Sequence, residues 1–428
     1  MANLLIQHHD GLRLRFPETD SIREQTYAES ETNSPFAVTD LSGLSKSEQD
    51  AVIEAESARL QGSIDLSMGP ILRMQLFKRG DERPSRLLLI IHHLAVDGVS
   101  WRILFEDFLE ACRALQTGDA ANFPPKTSSY RIWAVRLQEL SNRNSWNKDY
   151  WLNEARWAVP RIPVDYAGGF ENNIVDSQSA VTVELSEDET SNLLLEAPKA
   201  FNTQINDILL TALLLAVQEW TGEGRLLVDL EGHGREDLFE DVDVSRTTGW
   251  FTNVYPLLLE TEAGPSLTDT LRCVKEQIRA VPLRGVEYGM ARWLGTDRDY
   301  VEKLESQPQP EIVFNYLGQI DRVVSAGGDW KLMADWDSPE HAPNDPRSHV
   351  LEIEGIVQGR RLILTWKFSN NLHNHATIDG IANRYAEILR SLIEHCANLE
   401  AGSFTPSDFP AARLDQETLD ALMEQIRG

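Results

Sequence analysis

Two adjacent imidazoles and a carboxylate, His92, His93 and Asp97, stand in a turn with Gly98 between an apolar run, residues 87–91, and a stretch with apolar residues at helical spacing. Those helical positions are Trp101, Leu104, Phe105, Phe108, Cys112 and Leu115, and Ser100 reads as the N-cap. An imidazole titrates close to neutral pH, so a histidine at the mouth of a strand can give or take a proton in a cleft while its backbone stays fixed. A packed, hydrogen-bonded core pair is the ordinary reading of an isolated His-His. Asp97 and the glycine turn favour the chemical one.

A second group follows a second apolar strand, 225–231. Glu231-Gly232-His233-Gly234-Arg235-Glu236 places a carboxylate where the strand breaks, between residues that let the backbone turn sharply and let another molecule come close. On spacing alone a tight turn capped by an ion pair from Arg235 accounts for it better. The run 246–256 mixes aromatics with Gly249 and either lines a pocket or fills the core. In the short strand 311–318, period two sends Asn315 and Tyr316 to opposite faces, so at most one projects directly into a given cleft. Tyr316 is the better candidate, as a donor to a developing oxyanion.

Other chemistries lack their residues. Asp241-Val-Asp243-Val-Ser245 mimics the opening of a calcium loop, but Arg246 stands at the sixth position and Thr252 at the twelfth. His373-Asn-His375 has no ligand set beside it, so a metal is not expected. No phosphate loop, dinucleotide fingerprint, nucleophile elbow or His-Glu-x-x-His is present.

The chain has 428 residues, enough for two or three cores, and its 42 % hydrophobic and 25 % charged residues suit a soluble globular protein. No apolar run spans a bilayer and the opening residues lack a signal-peptide pattern, so a cytoplasmic protein is expected. The formal charge of −27 argues against nucleic acid or an anionic membrane as partner. Cys112, Cys273 and Cys396 each fall in a helical apolar pattern and read as reduced core thiols. Strands are expected at 180–185, 225–231, 351–358 and 361–369, and helices at 144–157, 207–220 and from Thr377 onward. The simplest architecture is two α/β lobes, 1–165 and 166–412, with a tail or linker from 413 to 428.

Taken together, these segments resemble the condensation-domain superfamily of nonribosomal peptide synthetases and, within it, the epimerization domains. His92-His93-Leu-Ala-Val-Asp97-Gly98-Val-Ser100-Trp101 is similar to the superfamily's core motif. The narrower likeness rests on Glu231 to Glu236, on 246–256, on Pro282-Leu-Arg-Gly-Val-Glu-Tyr-Gly289 and on Phe314-Asn-Tyr-Leu-Gly318. Asn202-Thr-Gln-Ile-Asn-Asp207 and Thr405-Pro-Ser-Asp-Phe-Pro410 fit the same group.

The resemblance implies two chloramphenicol-acetyltransferase-like lobes in a V-shaped pseudo-dimer, with the active site in the tunnel between them. It implies inversion, L to D, at Cα of an aminoacyl or peptidyl thioester brought on the 4'-phosphopantetheine arm of a peptidyl carrier (thiolation) domain. Adenylation and condensation domains would be the other partners, and the chain itself would bind no cofactor. Carried over by position, His93 and Glu231 become the acid/base pair and Tyr316 an accessory donor. His92, Asn315 and Arg235 support the site, while Asp97 orients the His loop through an ion pair, with Arg13 as its partner. The family's opening strand and helix have no counterpart before Leu4, so the first lobe is expected to be shortened. Peptide-bond condensation and a silent carrier-docking module are the rival readings.

Overall fold

Alternation of apolar and polar residues builds the largest sheet. A computed structural model describes residues 1–19, 22–31, 34–262, 264, 266–319, 330, 331, 333, 341–398, 404–412 and 414–427. Six strands lie in the order Asn253–Glu260, Arg225–Gly232, Ile312–Gln319, Leu351–Gln358, Arg361–Ser369 and Gln178–Glu184. Ile312–Gln319 runs parallel to both of its neighbours, and the other pairings are antiparallel.

Because side chains alternate between faces, this register turns sequence into rows. Tyr255, Leu230, Phe314, Ile353, Trp366 and Val181 align across all six strands, and every one is buried. One residue along, Val254, Glu231, Asn315, Glu354, Thr365 and Thr182 form a largely polar row on the opposite face.

Helices Ile205–Thr221 and His375–Ala397 pack with the apolar rows. The first starts where Asp207 caps Gln204 N–H at 2.7 Å and stops at Gly222, whose φ of 79° carries no penalty without a Cβ. Tyr385 of the second helix meets the Trp366 ring at 5.5 Å and donates to the Leu209 carbonyl. Each large apolar side chain so buried contributes roughly 1.5–3 kcal/mol.

A three-stranded sheet runs Phe36–Asp40, Leu72–Lys78, Arg86–Ile91, its first pair parallel and its second antiparallel. Helix Gly98–Thr117 follows, with Leu104, Phe108 and Cys112 buried against Leu5, Leu12 and Met74. Trp330 closes on Phe108 with ring centroids 5.2 Å apart. The Arg86–Ile91 strand is half-buried rather than fully buried, and Leu115 is exposed, because the helix has turned that position away from the sheet by its last turn.

The chain divides into two compact units. One comprises Met1–Glu139, His233–Thr252 and the described residues 330, 331 and 333; the other comprises Leu140–Gly232, 253–319 and 341–427. The division expected at 165 does not coincide with this one. Trp151 is buried in the core of the second unit, and 233–252 belongs to the first. Within 144–157 only Lys148–Trp151 is α-helical, followed by a 3₁₀ turn at Glu154–Ala158.

The expected tail contains a helix, Gln416–Arg427, which buries Leu419 and brings Asp420 to 3.5 Å from Arg272. Cys112 and Cys396 are buried free thiols, but Cys273 lies on the outer side of Leu267–Arg279 and is exposed. Among the described residues no single helix is long and apolar enough to cross a membrane.

Candidate active site

Each unit carries one acid–base candidate at the end of a strand. In the first, the backbone leaves Arg86–Ile91 and enters a 3₁₀ turn, His93–Ala95, capped by His92, whose Nδ1 accepts from Leu94 N–H at 3.2 Å. Burial and the neighbouring His93 lower the pKa of His92, which suits an imidazole that accepts rather than donates. The His93 side chain is exposed, and the Trp250 ring meets it edge-on at 4.9 Å.

Asp97 holds this turn in place. One oxygen accepts from Ser100 N–H at 2.7 Å, which makes Asp97, rather than Ser100, the N-cap of the following helix. The other accepts from Phe251 N–H at 3.0 Å, and Arg235 Nη2 lies 3.1 and 3.2 Å from the two. Arg235 also donates to the Val244 and Thr247 carbonyls at 2.8 and 2.7 Å and lies over the Phe251 ring at 4.0 Å. Burial pulls its pKa down, opposed by the charge of Asp97.

Ser100 Oγ donates to the Gly249 carbonyl at 3.0 Å and accepts from Gly249 N–H at 3.1 Å. A Cβ on Gly249 would stand 2.5 Å from Tyr130 Cδ2, so only glycine lets the Tyr130 ring pack this closely on the backbone. The partner of Asp97 is therefore Arg235, not Arg13. Arg13 is committed to Asp10 at 2.6 Å, to the Ala28 carbonyl at 3.2 Å and to the Ile6 carbonyl. The Arg235 guanidinium, which spacing offered as an ion-pair partner for Glu231, is held by Asp97.

In the second unit Glu231 ends its strand on the polar face. Its Oε2 accepts from Asn315 Nδ2 at 2.6 Å, and among the described residues no cation is paired with it. Burial raises its pKa, and the negative charge of Glu354 pushes the same way; His349 and the Asn315 hydrogen bond oppose the rise. Glu354 itself is bridged by Lys367 at 2.7 Å.

Of the two candidates Asn315 and Tyr316, the register puts Asn315 on the face of Glu231. Tyr316 falls on the opposite face, packed on the apolar core over Gly355. His233 lies 3.4 Å from Glu236 rather than at Glu231. The residues that sequence reasoning missed are Glu354, Asp229 and His349, the last with its Nε2 2.8 Å from Asp229 Oδ2. Alternating Glu352 and Glu354 in 351–358 was a signal that this strand carries charge toward the same face.

The condensation-domain family model matches residues 2–414. A linear gramicidin synthase of Brevibacillus parabrevis is 40 % identical over 428 residues, 99 % of this chain and 6 % of that protein. Surfactin synthase subunit 1 of Bacillus subtilis (strain 168) is 36 % identical over 427 residues, 98 % of this chain and 12 % of that protein. The chain thus spans a small fraction of the length of these relatives. The epimerization domain from the third module of tyrocidine synthetase B superposes with a TM-score of 0.81 at 33 % identity, covering 92 % of this chain and 87 % of that one. The first condensation domain of the calcium-dependent antibiotic synthetase, at TM-score 0.65 and 16 % identity over 94 % of this chain and 88 % of that one, shares the fold. With the family model matched over residues 2–414 and the His92-His93 turn and Glu231 strand end both formed, the chain belongs to the condensation-domain family of nonribosomal peptide synthetases.

Proposed function

We propose that the chain epimerizes Cα of an aminoacyl or peptidyl thioester carried on phosphopantetheine by a carrier domain, in the cytoplasm. The observation that carries this reading is Glu231: a strand-end carboxylate held by the Asn315 amide and biased toward its protonated form by burial and by Glu354. A carboxyl group whose protonated form is favoured in this way is a better reservoir for the proton that a carbanion must receive. The likeness to the tyrocidine epimerization domain supports the same reading.

A thioester stabilises an adjacent carbanion as its enolate, so a positioned base and a positioned acid suffice for inversion. His93 and Glu231 each exchange a proton with one face of that planar enolate. Asp97 and Arg235 act indirectly, by fixing the turn that bears His93. Asn315 orients the Glu231 carboxylate.

The test is deuterium wash-in. A carrier loaded with an L-aminoacyl phosphopantetheine is incubated with the chain in heavy water, and label at Cα and chirality of the hydrolysed acid are read. Exchange with D-product supports epimerization. Dipeptide formation with a second loaded carrier, without exchange, identifies a condensation catalyst instead; neither reaction identifies a docking module.

A further inference from the structure

Asp229 and Glu231 share one face of the Arg225–Gly232 strand, two residues and so about 6.5 Å apart along it. Asp229 Oδ2 lies 2.8 Å from Nε2 of His349, whose Nδ1 is 2.9 Å from Ser348 Oγ. Ser348 is exposed, whereas the His349 and Asp229 side chains retain only 13 % and 17 % of their accessible surface. The ring thus joins water at one nitrogen to the polar face of the sheet at the other.

Both partners suit either protonation state. The carboxylate accepts from Nε2–H throughout, while the hydroxyl donates to a bare Nδ1 or rotates to accept from Nδ1–H. His349 can therefore gain or lose a proton without losing a hydrogen bond.

We propose that His349 is a positioning residue for Glu231, taking up a solvent proton through Ser348 as Glu231 gives one up and so holding a compensating charge beside the new carboxylate. This rests on the role assigned to Glu231 above. The proton on His349 comes from water and returns to it; the proton leaving Glu231 goes to the substrate carbanion.

Among the described residues, these other groups around Glu231 do not supply that charge. Asn315 and the opposing Val254 are neutral, and Asp229 and Glu354 are acidic. Lys367 is bound to Glu354 and Arg347 to Glu352 at 3.0 Å. Tyr288 faces both Asp229 and Arg292. The charge of His349 opposes the upward push that burial and Glu354 exert on Glu231.

The experiment is an infrared titration of carboxylates in the full chain, the Glu231 band being the one that E231Q removes. H349Q is expected to raise the Glu231 midpoint by about one pH unit, and H349R, which keeps a cation and comparable bulk, to return it to or below the native value. In the wash-in assay H349Q should shift the pH profile the same way, with exchange about tenfold slower below the new midpoint. An unmoved midpoint in H349Q, or identical midpoints in H349Q and H349R, overturns the inference. Absence of exchange by the native chain overturns the epimerase reading alone, since the infrared midpoint does not depend on turnover.

Discussion

Arg235 Nη2 lies 3.1 Å from Asp97 Oδ1, although 138 residues separate the two in the chain. Their side chains are 6 % and 2 % exposed, so neither charge has water to fall back on. Asp97→Asn keeps the helix cap but strands the guanidinium, and a loss of roughly 3–5 kcal/mol is expected, read as a lower urea midpoint. Arg13→Ala, away from this pair, should leave the Asp97–Arg235 contact intact.

Stability should depend on pH through Glu231. Its folded-state pKa is raised, so between the unfolded and folded values the native chain binds more protons than the unfolded one, and stability falls as pH rises through that window. Glu231→Gln removes the titration. Its melting temperature should therefore gain on the native protein as pH rises above the ordinary carboxylate range, and the gain should vanish below that range.

How far the fold was legible follows from its periodicities. Period two in 351–358 and 361–369 located an antiparallel pair, and the structure pairs Leu351 with Phe368 through Gln358 with Arg361. The nearly all-apolar 207–220 was a buried helix because such a run buries every face. What period could not reveal was partnership. Nothing in the spacing tells Asp97 which arginine it meets, and only tertiary packing selects Arg235 over Arg13. Alternation separated Asn315 from Tyr316 but not which of them shared a face with Glu231; that choice is made by the pairing of Phe314 with Leu230. The boundary expected at 165 does not coincide with the division into compact units because Pro160, Pro163, Gly168 and Gly169 mark a loop, and a loop can run within a unit as well as between units.

Glu287 is buried with its carboxylate accepting from Asn147 N–H at 2.7 Å, Asn147 Nδ2 at 2.8 Å and Trp151 Nε1 at 3.0 Å. Glu287→Gln turns one acceptor into a donor that faces another donor. A loss of about 1–3 kcal/mol is expected for the unsatisfied pair, seen as a lower melting temperature.

Alkylation separates the cysteines. Cys112 and Cys396 are buried, while Cys273 is exposed, though partial burial raises its thiol pKa. One equivalent of iodoacetamide label is expected on the native chain, located at Cys273 by peptide mapping and slow at pH 7, and three after denaturation. Label on Cys112 or Cys396 without denaturant would contradict their burial.

Residues 233–252 are numbered within the latter half yet are built into the unit of the His93 turn, through Ser100, Gly249, Asp97 and Arg235. A chimaera made by exchanging only the first 165 residues between two synthetases would import a histidine loop and leave behind the piece that braces it. Recombination that respects this interleaving moves 233–252 together with the N-terminal stretch, so a single crossover at 165 is expected to disrupt the brace wherever the two parents differ at these contacts.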